Sequence, residues 1–248
     1  MQAATISETH ADLIETPPTA EDRRRLRRFP LFAQANDATI HNLLGQTPIV
    51  TIPKHETVVR EGSTPTSIIA VVTGRVALVT QIPGDQPVVI AMVGRGELIM
   101  PGAAIAASAY PLTARAVEET RIASIPLGAI RNASDQDRGF CQELTRLAGG
   151  EWQALLGQFK DYRLRSAPQR FAAYLVQLAR ENGRPESGLV EVELADDRKT
   201  LASLLGMTPE NLSRTIAQFR ERGVTVTGRV VAIADLAGLA AFAGIGDA

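Results

Sequence analysis

Residues 197–219 restrict this chain more than any other stretch: Asp-Arg-Lys-Thr-Leu-Ala-Ser-Leu-Leu-Gly-Met-Thr-Pro-Glu-Asn-Leu-Ser-Arg-Thr-Ile-Ala-Gln-Phe. Leu201, Leu204 and Leu205 give one short helix a buried face, and Leu212, Ile216 and Phe219 give a second helix another. Gly206 stands where a tight turn between helices needs positive φ. Thr208 is placed to cap the second helix, and Pro209 takes the first helical position, where its missing N–H does no harm. The spacing predicts a helix–turn–helix.

The second helix then leaves Glu210, Asn211, Ser213, Arg214 and Gln218 outside its apolar stripe, with Thr208 at its start. Such side chains read base edges in a major groove: arginine bonds guanine bidentately, glutamate accepts from the cytosine amino group, and serine bonds several edges. Arg198 and Lys199 open the first helix. Residues 198–222 hold five Arg/Lys against two Glu, a local phosphate-binding excess in a chain whose net charge is −1. A plain αα-hairpin with a solvated face would show the same stripes. The hairpin pattern that follows, Val224-Thr225-Val226-Thr227-Gly228-Arg229-Val230-Val231, reads as a wing and favours duplex DNA as the partner.

The rest of the chain sorts by texture. Residues 1–22 read as a flexible arm ending in Thr16-Pro17-Pro18-Thr19, with no apolar core of a signal peptide. Residues 23–126 read as N-terminal helices followed by many short strands, including Ile49–Ile52, Thr57–Val59, Ile68–Val72, Val76–Thr80, Val88–Val93 and Arg121–Ile125. Gly62, Gly74, Pro83-Gly84-Asp85, Gly94 and Gly96 separate them, as in a closed or double-sheet β architecture. Residues 127–165 read as one long helix, with Phe140, Leu144, Leu147, Leu155, Phe159 and Tyr162 near helical spacing. Its seam, residues 137–162, is expected to pair with a second copy. Gly149-Gly150 marks either a close helix–helix contact or a hinge. Residues 166–248 form the second domain, and the fold class is α+β.

Several function classes fall away. Cys141 is the single cysteine, so no disulfide within the chain and no cysteine-ligated iron–sulfur cluster is expected, and a reducing cytoplasm fits. No apolar run approaches the length that spans a bilayer. No nucleophile–base arrangement is legible, so the chain is not expected to be an enzyme. Gly94-Arg95-Gly96 lacks the helix of a dinucleotide fingerprint. The arginine-rich run 23–28 reads as a solvated helix face, and Glu118-Glu119 has no partner that suggests catalysis.

This order of parts resembles the Crp/Fnr family of bacterial transcription regulators. The marks are Pro30-Leu31-Phe32, Val59-Arg60-Glu61-Gly62, Val72-Thr73-Gly74-Arg75-Val76, Gly94-Arg95-Gly96-Glu97-Leu98 and the helix–turn–helix. The resemblance implies a cyclic-nucleotide-binding-type β-roll (jelly roll), a long dimerisation helix and a C-terminal winged helix–turn–helix on a palindromic site, with RNA polymerase as partner in activation. Glu210-Asn211-Leu212-Ser213-Arg214 is similar to the Glu-x-x-Ser-Arg signature of the branch that reads TTGAT-type half-sites. That similarity assigns a guanine to Arg214, a cytosine to Glu210 and a thymine to Ser213.

The resemblance also implies an effector pocket in the β-roll, here around Gly96, Glu97, Leu98, Tyr110 and Arg115. Cyclic-AMP-binding members hold the phosphate with an Arg-Ser/Thr pair about ten residues after Gly-Glu-Leu. This chain has no arginine between Arg95 and Arg115, which disfavours a cyclic nucleotide. Tyr110-Pro111-Leu112-Thr113-Ala114-Arg115-Ala116 resembles the nitric-oxide-responsive Nnr/Dnr branch and so points to haem, with His10, His41 and His55 as candidate axial ligands. A cyclic nucleotide, a small metabolite, or DNA binding without any ligand are the alternatives.

Overall fold

The computed structural model describes residues 15–81, 87–186 and 189–245. His10 and Pro83-Gly84-Asp85 lie outside them. The chain divides into two compact units, and the division falls after Gln153, inside the long helix rather than at the expected 165/166 boundary. No helix among the described residues is long and apolar enough to cross a membrane.

The first unit opens with β1 (Glu15–Thr16) and α1 (Ala20–Leu26). The expected arm is thus too long. Thr16 already pairs with Ile49, and the helix starts before residue 22 because Thr19 and Asp22 form a reciprocal capping box. A 3-10 turn, Pro30–Phe32, leads to α2 (Asp37–Gly45), capped by Asn36. Then come β2 (Ile49–Ile52), β3 (Thr57–Val59), β4 (Ser67–Thr73), β5 (Val76–Thr80), β6 (Val88–Val93), β7 (Leu98–Ile99), α3 (Pro101–Ile105), β8 (Thr113–Ala116) and β9 (Thr120–Pro126).

These strands make two antiparallel sheets, ordered β1-β2-β9-β4-β7 and β3-β8-β5-β6. β4 shows why they stack. Its alternate residues serve different cores: Ile69 and Val71 pack between the sheets with Val50, Val58, Leu78 and Ile122, while Ile68, Ala70 and Val72 pack under the helices with Leu43, Ile130 and Phe140. A strand buried on both faces reads as an unbroken apolar run. Between β4 and β5, Gly74 holds φ +88°, and a Cβ there would lie 2.7 Å from the backbone of Glu119 and Thr120, so this turn admits only glycine.

The expected single helix over 127–165 is two helices, α4 (Leu127–Gln136) and α5 (Arg138–Leu164). Asp137 separates them in an extended conformation because its carboxylate serves other donors. It accepts from Asn36 N–H at 2.8 Å and from Phe140 N–H at 3.1 Å, starting the new helix. Those bonds, led by Asn36, hold the Asp137 carboxyl below the usual carboxylate range. α5 runs unbroken through Gly149 and Gly150, and among the described residues nothing beyond the helix's own neighbouring backbone lies within 4 Å of a Cβ built at either.

The second unit holds the rest of α5, then α6 (Ala167–Asn182), β10 (Arg184–Glu186), β11 (Leu189–Glu193), α7 (Arg198–Leu204), α8 (Pro209–Phe219), β12 (Val224–Thr227), β13 (Val230–Ile233) and α9 (Leu236–Phe242). Its sheet is ordered β10-β11-β13-β12. Phe171, Leu175, Leu201, Leu212, Phe219 and Val231 meet in one core, where Phe219 lies 5.2 Å from Phe171 and edge-on to Phe242 at 5.8 Å.

Candidate nucleic-acid interface

α7 begins because Asp197 accepts the Thr200 N–H at 2.8 Å. That bond foremost keeps the Asp197 carboxyl below its ordinary range, with Lys199 adding to it. α7 ends at Gly206, whose φ of +61° is the left-handed value a tight turn requires. α8 restarts at Thr208, whose hydroxyl accepts the Asn211 N–H at 3.2 Å, with Pro209 next. Leu212, Thr215, Ile216 and Phe219 bury one face of α8.

The other face is exposed. Thr208, Glu210, Asn211, Ser213, Arg214 and Gln218 all stand in solvent, as do Arg198 and Lys199. The eight residues expected to contact DNA therefore share the exposed surface of one helix–turn–helix. Their local bonds prepare them. Ser213 donates its hydroxyl proton to the Pro209 carbonyl at 2.9 Å, a bond that rotation of the hydroxyl exchanges for an acceptor on a base edge. Arg214 donates to the Asn211 side-chain oxygen, which orients the guanidinium. Glu210 is held below its usual range, first by its own backbone N–H, then by Thr208 and Arg214, so it stays an acceptor at neutral pH.

Not every basic residue is equally available. Arg222 stacks 3.9 Å from the Phe242 ring centroid. Arg229, at the wing turn, donates to the Leu194 carbonyl at 3.0 Å and to that of Ala195. Sequence reasoning also missed Arg170, which donates to the backbone carbonyls of Arg165, Leu205 and Gly206. No local pattern marks such a role, because two of its acceptors lie 35 and 36 positions downstream.

The expected effector residues Leu98, Tyr110 and Arg115 face different surroundings. Gly96 makes a turn at φ +91°, and the Glu97 carboxylate closes that turn by accepting the Gly94 N–H at 2.6 Å. Leu98 packs toward the helices, whereas Tyr110 packs between the sheets. Tyr110 is buried, its hydroxyl 3.5 Å from the Ser67 carbonyl, and burial pushes its pKa up to about 12. Arg115 is exposed, because on β8 it is Ala114 and Ala116 that point inward. The α3 segment carries a different anion. Glu151 of α5 accepts the Gly102 N–H at 2.7 Å.

Of the candidate haem ligands, His10 lies outside the described residues. His41 on α2 and His55 in a turn at φ +72° are both exposed, and no cluster of metal-ligating side chains occurs among the described residues. Free Cys141 is exposed.

α5 carries a second exposed feature. Phe140 and Leu144 are buried against their own unit, so the expected seam over 137–162 narrows. Trp152, Leu155, Leu156, Phe159, Tyr162 and Leu164 remain 39–74% exposed.

Residues 169–242 match the model of the Crp-like helix-turn-helix domain, and residues 49–137 match that of the cyclic nucleotide-binding domain. The chain is 23% identical over 211 residues to the CRP-like cAMP-activated global transcriptional regulator of Mycobacterium tuberculosis, covering 85% of this chain and 94% of that protein. It is 28% identical over 142 residues to the fumarate and nitrate reduction regulatory protein of Salmonella typhimurium, covering 57% of each. Its fold is similar to that of FixK2 from Bradyrhizobium japonicum, with a TM-score of 0.67 and 19% identity over 79% of this chain and 96% of that one.

Proposed function

The chain belongs to the Crp/Fnr family of transcription regulators, and on that premise we propose that it binds a palindromic, TTGAT-like duplex as a homodimer. The observation that carries this reading is the α8 surface. Glu210, Ser213 and Arg214 stand exposed on one face while Leu212, Ile216 and Phe219 anchor the other. Arg214 reads the guanine of the half-site, Glu210 the cytosine amino group and Ser213 the thymine. Arg198 and Lys199 hold phosphates.

The second copy covers the α5 face. Trp152, Leu155, Leu156 and Phe159 recur at helical spacing, and an apolar stripe this exposed is what a helix–helix interface buries. Pairing there sets two recognition helices about 34 Å apart, one turn of the duplex. RNA polymerase is the partner when the bound dimer activates.

The β-roll takes an uncharged effector rather than a cyclic nucleotide. Arg115 faces solvent, Ala103, Ala114 and Ala116 face inward, and Glu151 already engages the Gly102 N–H, so a cyclic phosphate would meet a carboxylate in place of a cation.

A titration of full-length protein into labelled duplex tests both points. An inverted TTGAT pair is expected to bind about a thousandfold tighter than a scrambled duplex of the same length. Equal affinities overturn the assignment. Saturating cyclic AMP is expected to leave the affinity unchanged, and a tenfold or greater change, taken as about 1.4 kcal/mol, overturns the effector reading.

A further inference from the structure

The end of α5 and the turn of the helix–turn–helix are tied by one side chain. Arg170, half-buried in the first turns of α6, donates from Nε to the Leu205 carbonyl at 2.8 Å and from Nη2 to the Gly206 carbonyl at 3.2 Å. Its Nη1 donates to the Arg165 carbonyl, just past α5, at 2.9 Å. All three acceptors sit at helix C-termini, where carbonyls lack partners within the helix and a cation is favoured. The planar fork of arginine reaches all three at once, and lysine has no such fork.

Tyr162, in the last turn of α5, completes the arrangement. Its ring lies 5.0 Å from the Arg170 guanidinium and its hydroxyl donates to the Leu204 carbonyl at 3.3 Å. A Cβ on Gly206 would stand 2.4 Å from Tyr162 Cε1. Glycine at 206 thus serves the turn and also lets the ring close on it. Thr208, which caps the recognition helix, follows two residues later.

We infer that Tyr162 and Arg170 are positioning residues that set half-site spacing: they lock the end of α5 to the turn before α8, so the α5 pairing dictates how far apart and at what angle the two recognition helices stand. The inference rests on the dimeric reading above. One added base pair moves a half-site by about 3.4 Å and about a tenth of a turn. A locked connection rejects that displacement, and a loose one follows it.

The test uses full-length protein and duplexes with inverted TTGAT half-sites, the spacer changed one base pair at a time. Sedimentation monitors the dimer, and a single half-site and a random duplex serve as references. For the unmodified chain one spacer is expected to bind about tenfold or more tightly than its neighbours. Arg170→Lys and Tyr162→Leu are expected to flatten that preference to about threefold or less, with dimerisation and both reference affinities unchanged. Tyr162→Phe, which keeps the ring, is expected to retain the sharp profile. Because Tyr162 is 51% exposed, its replacement leaves the domain core intact. A sharp profile in both Arg170→Lys and Tyr162→Leu overturns the inference, as does an equal loss on every duplex, which a merely structural role would produce. An unmodified dimer with no preferred spacer overturns the inference alone, whereas an unmodified chain that sediments as a monomer overturns the dimeric reading and the inference with it.

Discussion

Asp22 and Arg121, ninety-nine positions apart, face each other through two bonds, Nη1 to Oδ1 at 2.8 Å and Nη2 to Oδ2 at 2.9 Å. The pair ties α1 to β9 and so fastens the N-terminal helix to the sheet. Burial by itself would raise the Asp22 carboxyl, but the bonds from Arg121 and Thr19 outweigh it and hold the group below its ordinary value. A carboxyl depressed in the folded state stabilises above the unfolded pKa of about 3.9, and that contribution is lost as pH falls through the lower folded value. Asp22→Asn is expected to destabilise the first unit by about 2 kcal/mol at neutral pH and to flatten its acid dependence below about pH 4. The magnitude is under that of a fully buried pair because Arg121 keeps 33% of its side-chain surface exposed. Urea titrations across that pH range check it, and an Asp22→Asn variant with unchanged acid dependence contradicts the assignment.

Gly206→Ala strains the chain twice. Positive φ costs a side-chain-bearing residue about 1–2 kcal/mol, and the new Cβ pushes the Tyr162 ring. The second unit is expected to lose about 2 kcal/mol or more, seen as a lower thermal midpoint. A midpoint equal to that of the unmodified chain would sink the prediction.

Arg214→Ala removes the guanine-reading fork. Cognate binding is expected to weaken by about 1–3 kcal/mol and discrimination at one base pair to relax, with random duplex unaffected. Equal losses on cognate and random DNA are the contrary result.

Lys199→Ala removes a phosphate contact at the start of α7. Binding should weaken to a similar degree on every sequence, and the slope of log affinity against log salt should shrink by about 1. An unchanged slope places Lys199 away from the backbone.

The helix–turn–helix was legible because its determinants are local. Asp197 caps through Thr200 and Thr208 through Asn211, each three residues along, and Leu212, Ile216 and Phe219 keep one helical face. β8 was not. Its inward residues are Ala114 and Ala116, so it lacks the β-branched pattern that revealed strands such as β4 and β5. The break at Asp137 was hidden too, because its partner Asn36 lies 101 positions earlier. On α5, spacing alone put Phe140 and Phe159 on one seam, yet the first is fully buried and the second 63% exposed.

By itself the sequence determined the elements whose bonds close within about four residues: the capped recognition helix, its exposed reading face, the wing and most strands. Only the tertiary structure decided which way the less patterned elements turn their side chains and which distant groups meet. It set Arg115 outward, Glu151 on Gly102, Asp22 on Arg121 and Arg170 on the carbonyls of the helix–turn–helix. The reason is physical. Caps and periodicity are properties of neighbours along the chain, whereas the partner of a buried charge or an orphan carbonyl is chosen by whatever packing brings within about 3 Å.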